Sequence, residues 1–307
     1  MFGQLDLFKR KNIPLPVQTT EQAVGLPTGE SGVLDSLSSY YTYLQSVSTS
    51  KYTPDDFKAD VQRFGVFVGK KKLQDITMQD IQQWRSSLTT SQGKSLSPKT
   101  ISRKMSALIN YFSWLIEQGI ITKNPIENIR NFRVTSPLPD ILFESECEAL
   151  QKAASSDSRT YLLILLFLET GIKKEELFAL HITHFDFSNK YAPEVWIKHQ
   201  GKKVKKDRKL KLPQEITPVF EEYVGKYGIT DQLFPYTQRF IEMLLTNVAT
   251  WAKIKKKVNA SILRDTFAVR QLRRGESIEL VLRKLGLSES TWEDAKEKYM
   301  KLSSKGI

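Results

Sequence analysis

Residues 261–275 have the sequence SILRDTFAVRQLRRG, with Arg264 near the start and a glycine at the end. This pattern predicts a helix over residues 260–274 that stops at Gly275, because glycine commonly follows the last turn of a helix. A cluster of lysines directly precedes the helix: Lys253, Lys255, Lys256 and Lys257. The segment therefore predicts a helix that presents Arg264 beside a basic surface.

The chain around this helix, residues 141–307, has the pattern of a mixed domain. Residues 194–199 and 209–212 are expected to form a β-hairpin around a lysine-rich turn. Apolar periodicity predicts further helices at 144–154, 158–169, 174–180, 214–226, 238–253 and 277–285.

The last helix is predicted to begin at Ser290, with Ser290 and Glu293 forming a capping box. Its apolar face carries Trp292, Ala295 and Tyr299. A tyrosine on such a face is usually structural, so the residue types alone leave its role open.

The N-terminal half predicts a small helical domain over residues 33–132. Four helices are expected, and their signals are a face of Leu34, Leu37, Tyr41 and Leu44, then the caps Thr53, Thr77 and Ser97. Residues 1–32 lack periodicity and are expected to form a mobile arm, and the proline-containing residues 133–140 are expected to link the domains. The predicted fold class is mainly α with a small β-hairpin.

Composition excludes several classes of protein. The 307 residues include 46 Lys and Arg against 34 Asp and Glu, a formal charge of +12, which favours a polyanionic partner. No stretch approaches the ~20 apolar residues of a membrane-spanning helix, and no secretion signal is evident. The single cysteine, Cys147, excludes an intramolecular disulfide and a Cys-based zinc cluster. We therefore expect a cytoplasmic protein without a membrane partner.

Basic residues gather in three places, and each is a candidate contact to DNA phosphates. The turn GKKVKKDRKLK places seven Lys or Arg between Lys202 and Lys211 against a single acid, Asp207. A solvated surface is the alternative for each cluster. The predicted DNA-binding residues are Lys94, Lys99, Arg103, Lys104, Lys205, Lys206, Arg208, Lys255 and Lys256.

Three segments resemble the motifs of the tyrosine recombinase, or phage integrase, family. SILRDTFAVRQLRRG is similar to its H-x-L-R-H-T-F-A signature, ETGIKKEELFAL at 169–180 to T-G-x-R-x-x-E-L, and LRKLGL at 282–287 to its L-G-H box. The resemblance, which spans the chain from about residue 33, implies an N-terminal SAM-like core-binding domain and a C-terminal catalytic domain. It also implies double-stranded DNA as the partner and a homo-oligomer, a tetramer, on that DNA.

The family chemistry that this resemblance implies needs no metal or cofactor. A tyrosine, here Tyr299, attacks a DNA phosphodiester and forms a 3′-phosphotyrosine link, while arginines stabilise the charge on the phosphate. Arg264 matches the second family arginine. Either Lys202 or Lys203 matches the lysine that protonates the leaving oxygen.

The chain departs from the family pattern at three positions. Lys173 stands where the first arginine belongs, and a lysine lacks the forked donors that suit a phosphate. Ser261 and Leu287 replace the two histidines. Trp292 lies seven residues before Tyr299, where its indole N–H either contacts the phosphate or simply packs in an aromatic stripe.

Two functions follow from the resemblance and its departures. The first is an enzyme, a site-specific recombinase or integrase that breaks and rejoins DNA strands through Tyr299. The alternative is a weakened or inactive relative that binds or bridges DNA without cutting it. A general polyanion binder has only the charge in its favour.

Overall fold

The structure is a computed structural model that describes residues 26–48, 53–89, 92–127, 137–198 and 207–304. Four predicted site residues, most of the predicted arm and part of the predicted linker lie outside the described residues; the four are Lys202, Lys203, Lys205 and Lys206. Within the described residues the fold is mainly helical with one three-stranded sheet. The predicted fold class is therefore confirmed.

The described residues fall into two compact units, which separate between Ser136 and Pro137. The first unit contains four α-helices among its described residues: α1 (Leu37–Val47), α2 (Thr53–Val68), α3 (Met78–Ser87) and α4 (Pro98–Glu117). The predicted caps of α3 and α4 are confirmed, because Thr77 accepts from the Asp80 amide and Ser97 from the Thr100 amide. For α2, which begins at Thr53, the predicted cap at Thr53 stays a prediction.

The buried face of α1 differs from the predicted one. Leu37, Tyr40 and Leu44 are buried, whereas Tyr41 is half-buried and Leu34 is 44% exposed. The physical reason is that α1 begins at Leu37, so Leu34 lies before the helix and the inward positions are counted from Leu37.

The second unit surrounds α6, whose residues from Leu162 to Leu168 are all buried. Its other helices pack around α6 and beside one another. Their bounds are α5 (Glu144–Ala154), α6 (Ser158–Thr170), α7 (Lys174–Phe178), α8 (Ile216–Tyr227), α9 (Gln238–Trp251), α10 (Ala260–Arg273), α11 (Ile278–Lys284) and α12 (Trp292–Ser303).

The sheet of this unit is antiparallel in the order β1 (Phe185–Asp186), β2 (Glu194–Ile197) and β3 (Arg208–Lys211). The pairing of β2 with β3 confirms the predicted hairpin, with Ile197 opposite Arg208. Side chains alternate along a strand, so Arg208 and Leu210 lie on the inner face and Lys209 on the outer face. Strand β1 was not predicted, because two residues are too short to show a period.

The start of α12 also corrects a prediction. A short 3₁₀ turn over Glu289–Thr291 precedes the helix, which begins at Trp292. Ser290 lies inside this turn, so the predicted capping box of Ser290 and Glu293 is wrong. The Ser288 carbonyl accepts a hydrogen bond from the Thr291 hydroxyl at 2.8 Å and closes the turn instead.

Candidate active site

A cavity of about 570 Å³ in the second unit brings together three of the predicted catalytic residues, Lys173, Ser261 and Arg264. Lys173 is the residue before α7, Ser261 lies in the first turn of α10, and Arg264 lies one turn further along α10. The remaining wall consists of Lys174, Glu175, Ile241, Glu242, Leu245, Thr246, Lys257, Val258, Asn259 and Ala260. Residues from the two motifs, one at the start of α7 and one in α10, therefore line the same cavity.

Two backbone carbonyls hold the Arg264 guanidinium. Its Nη1 donates to the Gly171 carbonyl, and its Nη2 donates to the Leu285 carbonyl at 2.6 Å. Burial lowers the pKa of Arg264, while Tyr299 and Glu176 act in the opposite direction. An arginine has five N–H donors, so donors remain for a phosphate after these two bonds.

Gly171 is required for the hydrogen bond that its carbonyl accepts from Arg264. It caps α6 in the left-handed conformation, with φ of +57°, which suits glycine. A Cβ at this position would also lie 2.8 Å from Cδ2 of Leu285. Glycine therefore lets the α6–α7 turn bring its carbonyl to Arg264.

A buried ion pair joins the sheet to α7 beside the cavity. The Arg208 guanidinium donates to Glu176 Oε1 at 2.9 Å and Oε2 at 2.8 Å, and its Nε donates to the Lys284 carbonyl. Glu176 also accepts from the Lys173 amide at 2.9 Å. Burial alone would raise the pKa of Glu176, but the Arg208 bonds hold it below its usual value.

This pair corrects the DNA contact predicted for Arg208. Its side chain is 8% exposed, because the alternation of β3 directs it inward. Gly286 makes room for it, since a Cβ there would lie 2.7 Å from Nη1 of Arg208. Arg208 therefore fixes the elements around the site from inside.

Tyr299 lies on α12 next to the site, but its side chain is buried, with 4% exposed. Its hydroxyl donates to Asp265 Oδ1 at 2.9 Å, and Lys298 Nζ lies 2.7 Å from both oxygens of the same carboxylate. Burial raises the pKa of Tyr299 well above its usual value; the Asp265 charge adds to this shift and Arg264 opposes it. In this arrangement the hydroxyl is a donor to its own chain.

Trp292 is likewise engaged by its own chain. Its indole Nε1 donates to the Leu287 carbonyl at 3.1 Å. The ring packs with Leu287 against the small core that contains Tyr299 and Phe267. This arrangement matches the packing alternative for Trp292 rather than the phosphate contact.

The predicted DNA-binding lysines differ in exposure. Lys94, Lys99 and Lys255 are exposed. The sequence predicts a DNA contact for Lys256, but its ammonium donates to the Ile141 carbonyl at 3.0 Å and to Glu146 at 2.7 Å. Lys256 therefore ties the segment before α10 to the start of the unit.

In the first unit, the buried carboxylate of Asp60 attracts the cations of α4. Lys104 lies 2.5 Å from it and is buried, which corrects its predicted role at a DNA surface. Arg103 also lies 2.7 Å from Asp60, with its side chain 40% exposed. Arg63 on α2 completes the group at 2.9 Å.

Sequence reasoning missed three residues of this neighbourhood. Asp265 stands where the H-x-L-R-H-T-F-A signature has its second histidine, a mismatch additional to those at Lys173, Ser261 and Leu287, and that mismatch was the available signal. Glu176 is the glutamate of the T-G-x-R-x-x-E-L motif, but its partner Arg208 is 32 positions away. Lys257 lines the cavity, whereas its neighbours Lys255 and Lys256 were selected from the same run of lysines.

Two negative findings apply to the described residues. They contain no cluster of His, Cys, Asp and Glu side chains that could hold a metal ion. None of the helices in this part of the chain has the length and apolar character needed to cross a membrane.

Family comparison identifies the class of protein to which this two-unit fold belongs. Residues 37–119 match the family model described as "Phage integrase, N-terminal SAM-like domain", and residues 141–292 match "Phage integrase family". The chain belongs to the phage integrase family of tyrosine recombinases. The second match ends seven residues before Tyr299.

Curated relatives are similar along most of their length. A tyrosine recombinase of Thermosipho africanus is 28% identical over 265 residues, which cover 83% of this chain and 90% of the relative. The tyrosine recombinase XerC of Listeria innocua is 26% identical, with coverage of 84% and 88%.

Solved structures share the fold. XerH site-specific recombinase bound to palindromic difH substrate is 19% identical, with a TM-score of 0.70 and coverage of 89% of this chain and 82% of that one. A lambda integrase dimer bound to a COC′ core site is 16% identical, with a TM-score of 0.68 and coverage of 88% and 77%.

Proposed function

We propose that this chain is a site-specific recombinase that binds duplex DNA and joins one strand to Tyr299 through a 3′-phosphotyrosine bond. One observation carries the proposal: Lys173, Ser261 and Arg264 line a single cavity, and Tyr299 is bonded to Asp265, the residue next to Arg264. The family membership of the chain supports the same reaction.

In the proposed step, the Tyr299 oxygen attacks phosphorus, and the bond from phosphorus to the 5′ oxygen breaks. The phenol gives its proton to solvent water, and Lys202 or Lys203 protonates the leaving 5′ oxygen. Arg264 and Lys173 balance the negative charge on the phosphate oxygens, and Ser261 donates a hydrogen bond. The second strand's 5′ hydroxyl reverses the step, so no external energy source is needed.

Cleavage requires Tyr299 to change partners. Its side chain is buried and its hydroxyl is held by Asp265, so the hydroxyl has to move away from Asp265 to reach a phosphate in the cavity. The described position of α12 is thus a resting arrangement, and DNA binding would supply the free energy for the change.

The proposed partner is duplex DNA, since XerH and lambda integrase are both described in complexes with DNA sites. In this chain the exposed Lys94, Lys99 and Lys255 are the proposed phosphate contacts. A tetramer on two duplexes and a cytoplasmic location are part of the same proposal.

A pool of nicked duplexes with a randomised centre tests this function. A nick lets the cleaved fragment diffuse away, so wild-type protein should accumulate a covalent complex that resists denaturing electrophoresis. Tyr299→Phe should abolish that complex and retain DNA binding. Tyr191→Phe is the matched control, because Tyr191 is 86% exposed; if both variants behave alike, Tyr299 is not the nucleophile.

One observation favours a second candidate, a protein that binds or bridges DNA without cleavage. The Tyr299 hydroxyl and the Trp292 indole N–H both donate to acceptors of their own unit. In that case the wild-type protein binds the pool with strong salt dependence and forms no covalent complex on any sequence.

A further inference from the structure

The segment between α9 and α10 is held by its own contacts. Lys253 adopts the left-handed conformation, with φ of +57°, and the Ile254 amide donates to the Ala249 carbonyl. At the other end, the Asn259 side chain accepts from the Ile262 amide at 2.9 Å and caps α10. The segment therefore follows a defined path into the helix that carries Arg264.

Lys257 lies between two anchored residues in this segment. Lys256 is bound to Glu146 and the Ile141 carbonyl, and Val258 is buried in the core. The side chain of Lys257 is exposed and lines the same cavity as Lys173 and Arg264. Its neighbours thus fix the backbone of a lysine that lines the cavity.

The charges around the cavity depend on Lys257. The lining contains four cations, Lys173, Lys174, Lys257 and Arg264, and two carboxylates, Glu175 and Glu242. Lys174 lies 3.3 Å from Glu242, and Lys257 also interacts electrostatically with it. The surplus of two positive charges matches the two negative charges of a phosphodiester under attack, and removal of Lys257 halves it.

We propose that Lys257 is a further phosphate-binding residue of this site, contacting a non-bridging oxygen of the scissile phosphate. This inference rests on the proposed function. Lysine at position 173 supplies no forked pair of donors, and Arg264 uses two of its donors on Gly171 and Leu285. The ammonium of Lys257 supplies a further donor to the phosphate, in place of the donors that Lys173 lacks and that Arg264 uses on the backbone.

Binding of inorganic orthovanadate, a tetrahedral oxyanion that resembles phosphate, tests the inference without a cognate DNA site. Calorimetric titration of the full chain at low ionic strength should show that Lys257→Ala weakens binding about tenfold, as expected for loss of one charged hydrogen bond. Lys257→Arg should retain most of the affinity. Lys190→Ala is the matched control, since it removes the same charge from an exposed position of the same unit.

The outcomes separate this inference from the proposed function. If Lys257→Ala binds vanadate like wild type while Arg264→Lys binds weakly, Lys257 is outside the phosphate site and the function stands. If wild type shows no binding, or if both variants bind like wild type, the cavity is not a phosphate site and both proposals fail. A second measurement, the rate of covalent complex formation on the nicked pool, should fall with Lys257→Ala and not with Lys190→Ala.

Discussion

Two buried carboxylates, one in each unit, are bound by cations in different ways. Asp60 joins α2 to α4 through Arg103 and Lys104, and Arg63 on its own helix is a third cation beside it. Asp265 has one lysine, Lys298, and the hydroxyl of Tyr299. The surplus of cations at Asp60 indicates a fixed brace within its unit. At Asp265 the second partner, the Tyr299 hydroxyl, is a neutral group, so its movement away from the carboxylate separates no ion pair.

The largest effect is expected when the brace in the first unit is broken. Asp60→Ala leaves the buried ammonium of Lys104 without its counter-charge, which typically costs about 3–5 kcal/mol. Chemical denaturation of the full chain, followed by the fluorescence of the first unit's tryptophans, measures the loss. Asp56→Ala, an exposed acid on the same helix, should change stability by about 0.5 kcal/mol or less; equal effects would disprove the brace.

Asp265→Asn should have a smaller effect on stability, about 1–2 kcal/mol, because the amide still accepts from Tyr299 and Lys298 is 35% exposed. The same change removes a charge that raises the pKa of Tyr299, so the phenol should ionise at lower pH. Ultraviolet titration of the variant against a Tyr299→Phe background measures this shift. An unchanged titration would show that Asp265 does not act on the phenol.

Tyr299 should also make stability depend on alkaline pH. Its pKa is raised in the folded state above the reference value of 10, so the proton is held more tightly in the folded chain. The resulting stabilisation is complete below pH 10 and is lost as pH rises towards the folded-state pKa. Tyr299→Phe should therefore flatten the fall in the free energy of unfolding above pH 10, and Tyr191→Phe should not.

The smallest effect is expected at the exposed rim of the first unit. Lys99→Ala should leave folding stability unchanged and reduce the slope of log affinity for duplex DNA against log salt by about 0.9, the value of one phosphate contact. Fluorescence anisotropy over a salt series measures the slope. Lys58→Ala, on α2, provides a comparison; an identical slope for wild type and Lys99→Ala excludes the contact.

Much of the fold could be predicted, because local signals determine it. The caps Thr77 and Ser97 start their helices, and Gly275 follows the end of α10. The buried run of α6 was also evident from its apolar residues. In contrast, β1 is too short to have a pattern, and the start of α1 depends on tertiary packing.

The site was predicted only in part. Lys173, Ser261 and Arg264 share a cavity as their motifs imply. The partners of Arg208 and Lys104 could not be found from the sequence, because Glu176 and Asp60 lie far away along the chain. A run of cations also does not show which of its members has a buried side chain. For Arg208, the alternation of side chains along β3 was the signal that could have predicted its burial. The lysine-rich composition of the segment favoured an exposed position instead.

The backbone acceptors of Arg264 affect which substitutions such a site can tolerate during evolution. Both of its acceptors, at Gly171 and Leu285, are main-chain oxygens, which every amino acid possesses. Point mutations around the arginine can therefore exchange the neighbouring side chains without deleting its support, provided the backbone path is kept. This tolerance explains physically how Lys173, Ser261 and Leu287 can replace more usual residues while the arginine itself stays anchored.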